Sequence, residues 1–144
     1  MILNAIEEAK KTKKDVPVGC IITSGSKIIA AAHNMKEELK QTTAHAEIIA
    51  INTAQKKLNT WHLDDCEMYV TLEPCPMCAW AIIQSRIKTL YFGSYNTESG
   101  AFGSSINLKS NVNSELKVYG GIEEEKCDKL LNDFFMEIRA KNDY

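Results

Sequence analysis

No stretch of this chain approaches the roughly 20 consecutive apolar residues that a membrane-spanning helix needs. The opening residues, Met1-Ile2-Leu3-Asn4, lack the apolar core of a secretory leader. An excess of one charge is missing too, since 17 Lys and Arg stand against 19 Asp and Glu, a net −2. So balanced a chain is no generic binder of polyanions. Any nucleic-acid contact then needs a local basic patch or a substrate read mainly by its bases. Repeats, linkers and low-complexity segments are absent, which excludes a repeat array. Cysteine is scarce and odd in number, at five. Without a leader, that argues for reduced thiols and a cytoplasmic home.

What remains is ordinary for a folded protein. The 144 residues are 44% apolar and 25% charged, enough for one domain over 1–144 with its own core. Ile2, Leu3, Ile6 and Ala9 repeat at helical spacing, and the helix ends in the Lys-rich stretch Lys10 to Lys14. Val16 to Thr23 reads as a buried strand, Ser24-Gly25-Ser26 as a turn, and Lys27 to Ala32 as the second arm of a hairpin. Met35 to Thr42 is polar and reads as a loop. A helix from His45 to about Lys57 is expected to bury Ile48, Ile49 and Ile51. Strand 67–73, helix 76–85 and strand 87–93 follow. Ser94 to Ser114 shows no periodicity, and so long a stretch is usually either functional or disordered. A short strand at 115–119 precedes Gly120-Gly121. The last helix repeats Cys127, Leu130, Leu131, Phe134, Phe135 and Ile138 at three-and-four spacing. Strands alternating with helices imply an α/β layer sandwich.

Chemistry concentrates in Glu73-Pro74-Cys75-Pro76-Met77-Cys78 and in Thr43-Ala44-His45-Ala46-Glu47. Cys75 is placed at a helix N-cap with Pro76 at the first helical position, where its missing N–H costs nothing. The dipole at that end favours thiolate. Cys75 and Cys78, three apart, share one face of the first turn. With His45 they make three ligands, the number a catalytic zinc uses when a fourth position stays open to water. A Cys-x-x-Cys pair also suits redox chemistry or half of a four-cysteine site. A redox pair needs no histidine, though, and Cys20, Cys66 and Cys127 form no second pair. Taken alone, Glu47 is an acid favoured in a first helical turn, and His45 a hydrogen-bonded polar residue. Together with Pro-Cys-x-x-Cys they match the His-x-Glu signature of zinc deaminases of nucleobases. Glu47 is then the proton shuttle, and His45, Cys75 and Cys78 the metal ligands.

The sequence resembles the cytidine deaminase-like superfamily, and within it the bacterial tRNA adenosine deaminases that make inosine at the wobble position. The likeness runs from Asp15-Val16-Pro17-Val18-Gly19 through His33-Asn34, the two zinc segments, Ser85-Arg86-Ile87, Phe92-Gly93 and Gly100-Ala101 to Leu130–Phe135. It implies a three-layer α/β/α sandwich around a five-stranded mixed sheet, and a homodimer with one Zn²⁺ per subunit. The implied substrate is a tRNA anticodon stem-loop. The resemblance further implies substrate contacts from Asn34, Ala46, Asn96, Phe134 and Arg139. Adjacent helical positions point about 100° apart, so one of Phe134 and Phe135 is expected in the core.

The chain departs from the family at Asn96, usually an acid, and at Glu98, often a lysine. Trp80 replaces a small residue, and Met136 and Ile138 stand where bases are common. Two alternatives use the same motif: deamination of a free base or nucleoside such as guanine or cytosine, and a non-catalytic zinc-stabilised RNA-binding subunit. A purely structural zinc needs neither Glu47 nor Asn34.

Overall fold

Five strands make one sheet in the order β2-β1-β3-β4-β5, and a computed structural model describes it over residues 1–142. Asp143 and Tyr144, the end of the expected 1–144 domain, lie outside the described residues. The strands are β1 (Gly19–Ser24), β2 (Lys27–His33), β3 (Cys66–Leu72), β4 (Thr89–Ser94) and β5 (Lys117–Tyr119). β1 pairs antiparallel with β2 and β3, whereas β3, β4 and β5 run parallel. The sheet is therefore mixed, as expected.

Helices α3 (Ala46–Leu58) and α4 (Pro76–Gln84) cover one face. Ala46, Ala50, Ile51, Ala54 and Ile82 pack there on Cys20, Ile22, Met68, Val70, Leu90 and Phe92. On the other face α1 (Ile2–Ala9) sets Ile2, Ala5 and Ile6 on Ile21, joined by Cys127 of α5 (Glu124–Asn142). The small Ala5 and Ala9 bring α1 onto the sheet at Gly19. A Cβ there would lie 2.6 Å from the Ala9 nitrogen and overlap the Ala5 carbonyl, so glycine alone permits the crossing. Among the described residues no helix is long and apolar enough to cross a membrane.

Several boundaries differ from the sequence reading. β1 starts at Gly19 rather than Val16, since Pro17 has no N–H to give a ladder. Polar 35–42 contains a short helix, α2 (Lys36–Leu39), stopped by Lys40 at φ 54°. Asp15 holds its start, both carboxylate oxygens accepting the Glu37 N–H at 3.1 Å. Ile48 and Ile49 are half-buried; Ile51 with Ala46, Ala50 and Ala54 forms the buried stripe of α3. β4 begins at Thr89, after Arg86 takes a positive φ of 66°. Only Cys127 of the last helix's apolar repeat is fully buried. Leu130, Leu131 and Phe134 are half-buried, and Phe135 and Ile138 are exposed.

Candidate active site

Two helix N-termini meet at one end of the sheet. His45 is the N-cap of α3 and Cys75 the N-cap of α4, with Pro76 opening the latter. Both caps have extended backbone, and neither side chain makes a capping hydrogen bond. The side chains turn to each other instead. His45 Nδ1 lies 3.5 Å from Cys78 Sγ and 3.8 Å from Cys75 Sγ, and the three ligand atoms fall within 4.8 Å of one another. A tetrahedral ion with Zn–N about 2.0 Å and Zn–S about 2.3 Å separates N and S by about 3.5 Å. The donor set and its spacing fit zinc, and among the described residues no other group of three such ligands occurs.

The electrostatics prepare the same site. A hydrogen bond from the Cys78 thiol, helped by His45, brings Cys75 down to about 4. Cys78, sharing that hydrogen and more deeply buried, moves upward. The contact with Cys75 raises His45. Both cysteine shifts favour a thiolate at Cys75. Glu47, one step into α3, is 4% exposed. Burial pushes its carboxyl up to about 7, against the lowering effect of a backbone hydrogen bond.

A cavity of about 580 Å³ opens onto His45, Cys75 and Glu47, while Cys78 stays behind them. Val16 and Val18, lost from β1, form part of its wall. The segment 95–99 and one stripe of α5 from Asp128 to Phe135 form much of the remainder. Its acidic lining groups are Glu47, Glu73, Glu98 and Asp128, and among the described residues no lysine or arginine lines it.

The expected substrate-binding residues separate. Asn34 lies at the wall, with its amide anchored at both ends. Oδ1 accepts the Ala46 N–H at 2.9 Å, and Nδ2 donates to the Val16 carbonyl at 3.0 Å. It thereby takes up a free amide at the start of α3, a cap supplied from outside the helix. Ala46 is fully buried with that N–H engaged, so it sits behind the wall rather than at it. Asn96 lines the cavity while its side chain is bonded to Ser99. On α5 the wall residue is Phe135, not Phe134; Phe134 is half-buried and meets the Phe135 ring edge-to-face. Arg139 is exposed, one turn beyond Phe135 and outside the lining. Asp128 escaped the sequence reading. It accepts the hydroxyl of the buried Ser94 at 2.5 Å and ties α5 to the end of β4. An acid one residue after a buried Cys127 was the available signal.

A sequence model of the MafB19-like deaminases matches residues 1–139. The tRNA-specific adenosine deaminase of Bacillus subtilis (strain 168) is 43% identical over 141 residues, covering 95% of this chain and 88% of that protein. Its counterpart from Aquifex aeolicus (strain VF5) is 44% identical, with 94% and 91% covered. A structure solved in work on A-to-I editing by tRNA:A34 deaminases superposes with a TM-score of 0.87 at 35% identity, over 90% of this chain and 97% of the other. This chain therefore belongs to the MafB19-like deaminases and, among them, to the tRNA-specific adenosine deaminase family.

Proposed function

We propose that the protein is a zinc-dependent deaminase converting adenosine to inosine at the wobble position of a tRNA anticodon. The observation that carries this reading is the His45–Cys75–Cys78 cluster at the wall of a cavity, with the buried acid Glu47 beside it. His45, Cys75 and Cys78 would hold one Zn²⁺, which when bound supplies a water of lowered pKa. Glu47 would take one proton from the attacking water to the ring nitrogen, and would then carry the second, from the hydroxyl gained at the ring carbon, to the amino group, which leaves as ammonia. Its burial favours the protonated form, so the carboxyl takes up each proton readily.

The acidic lining bears on the substrate. A cavity with four carboxyl groups and, among the described residues, no Lys or Arg repels phosphate and admits a neutral base. The nucleobase enters, and the RNA backbone stays at the rim. Phe135, 43% exposed at the wall, offers a stacking face to a neighbouring base. Arg139 lies further along the same helical stripe, placed for a phosphate. Asn34 contributes by holding the α3 N-terminus, and Asn96 by shaping the 95–99 wall. We assign a homodimer, with Trp80 of α4, 44% exposed, at the interface, and a cytoplasmic site of action.

The deciding assay is inosine formation on an anticodon stem-loop bearing wobble adenosine, run beside free adenosine, guanine and cytosine. Turnover of a free base with none of the stem-loop would refute the tRNA reading and leave the zinc chemistry standing.

A further inference from the structure

Glu73 is an acid with 1% of its surface exposed. Among the described residues it forms no ion pair with a lysine, arginine or histidine. A buried carboxyl group without a cation must be satisfied by hydrogen bonds. All of them come from one loop. Oε1 accepts the Asn96 N–H at 3.2 Å and the Ser104 hydroxyl. Oε2 accepts the N–H of Phe102 at 3.0 Å and of Ser104 at 3.2 Å. Four donors fill the group on every side, so it is not free to serve the substrate as acid or base.

Backbone bonds within the loop, such as Gly100 N–H to the Asn96 carbonyl and Leu108 N–H to the Ala101 carbonyl, shape it locally. Between Tyr95 and Val112 only Gly100 and Ala101 are buried, with Phe102 half-buried against the core, so apolar burial contributes little to where the loop sits. Its closure over Glu73 also depends on Gly100. A Cβ at that position would lie 2.6 Å from Glu73 Oε1 and 2.5 Å from the Asn96 carbonyl oxygen. The Ala101 N–H adds a bond to the Pro74 carbonyl at 2.8 Å. The same loop presents Tyr95 to Ser99 to the cavity. Glu73 itself stands two residues before Cys75, across Pro74, whose ring stiffens the connection.

We infer that Glu73 is a positioning residue: its carboxyl group clasps the 95–104 loop and holds the 95–99 cavity wall in register with the Cys75–Cys78 turn. Substrate wall and metal turn then move as one body. The kinetic half of this inference rests on the deaminase reading above; the structural half does not.

Glu73→Gln keeps the shape but presents an NH₂ to a site made only of donors. The amide hydrogens of Asn96, Phe102 and Ser104 should then exchange at least about tenfold faster, while those of β3 and β4 keep their protection. Misplacing a substrate wall by about 1 Å costs up to about a hundredfold. That loss should fall on KM for the wobble-adenosine stem-loop, with kcat less affected and bound zinc unchanged. Gly100→Ala opens the clasp from the loop side, leaves Glu73 in place, and should reproduce both effects. Wild-type exchange across 96–104 in both variants, or a loss confined to kcat and zinc content, would overturn the inference. Should neither variant fold, Ser104→Ala, which removes only the hydroxyl donor, decides: faster exchange at Asn96 and Phe102 supports the clasp, and unchanged exchange overturns it. If wild-type protein turns over no RNA, the deaminase reading fails, and the exchange comparison still judges Glu73.

Discussion

His45 Nδ1 and Cys78 Sγ stand 3.5 Å apart, the separation that a tetrahedral zinc imposes on a nitrogen and a sulfur ligand. The ligand cage is thus already near its bound geometry. Purified protein should carry one zinc per chain by elemental analysis. Cys75→Ser and Cys78→Ser should lose it, while Cys20→Ser and Cys127→Ser should retain it. The opposite pattern would displace the assignment.

Glu47 is buried beside the ligands but is not one of them. Glu47→Ala should lower kcat by at least ~10² to 10⁴, the span of general acid–base catalysis. Zinc content and the circular dichroism spectrum should not change. An alanine variant of near wild-type rate would mean that the proton takes another route.

Cys127 gives the stability a pH dependence of known sign. Burial, reinforced by Asp128 and Glu123, raises its thiol from an ordinary 9.0 to about 11. A folded pKa above the unfolded one favours the protonated form. Its contribution is therefore complete below pH 9 and disappears as pH rises through 11. A rise from 9.0 to about 11 corresponds to at most about 3 kcal/mol. Wild type should lose stability between pH 9 and 11 more steeply than Cys127→Ala in urea titrations. Parallel curves would show that the thiol does not ionise on unfolding.

Trp80 lies two residues after Cys78, on the far side of α4 from the metal cluster. Cys78 is fully buried and Trp80 is 44% exposed, as about 200° of helical rotation requires. A ring this large and open suits a subunit interface. Trp80→Gly should weaken self-association by about thirtyfold or more, in keeping with the roughly 2 kcal/mol and above of a buried tryptophan anchor. Metal content should stay the same. Sedimentation that matches wild type at every concentration would rule Trp80 out of the interface.

The parts legible in the sequence were those set by local rules. Cys75 as N-cap and Pro76 as first helical residue follow from backbone chemistry alone, and the structure keeps both. The hairpin followed from apolar runs broken by turn residues, whereas the five-stranded mixed sheet was implied by the family resemblance. Less was legible where a side chain's neighbours come from far along the chain. The repeat from Cys127 to Ile138 correctly gave a helix, but spacing states only which residues share a stripe, not what covers it. Beyond Cys127 that stripe turns from the sheet towards the cavity, which puts Phe135 rather than Phe134 at the wall. Ala46 carries the same lesson, because its N–H meets a side chain from 12 residues upstream. Glu73 was visible within the motif, whereas its donors lie 23 to 31 residues away.

Asn96 supports a last prediction, on the choice between RNA and DNA. Its side chain works within the loop: Oδ1 accepts the Ser99 N–H at 3.2 Å, and Nδ2 donates to Ser99 Oγ at 3.1 Å. An aspartate there keeps the first bond, and the Ser99 hydroxyl can rotate to donate to the second oxygen. The loop should therefore tolerate Asn96→Asp, while the cavity gains an oxygen pair that only accepts. Beside a target ribose, a carboxylate favours the 2′-OH donor that DNA lacks, through a charge-assisted bond. The neutral amide of Asn96, able to donate or accept, discriminates less. Glu98, exposed at the same wall, adds negative charge where a phosphate approaches, so affinity should depend only weakly on salt. The measurement is kcat/KM on matched RNA and DNA anticodon hairpins for wild type and Asn96→Asp. The variant should raise the RNA-to-DNA ratio by roughly tenfold, the worth of one charged hydrogen bond at about 1.5 kcal/mol. An unchanged ratio would mean that residue 96 does not reach the ribose and serves only to fold the wall.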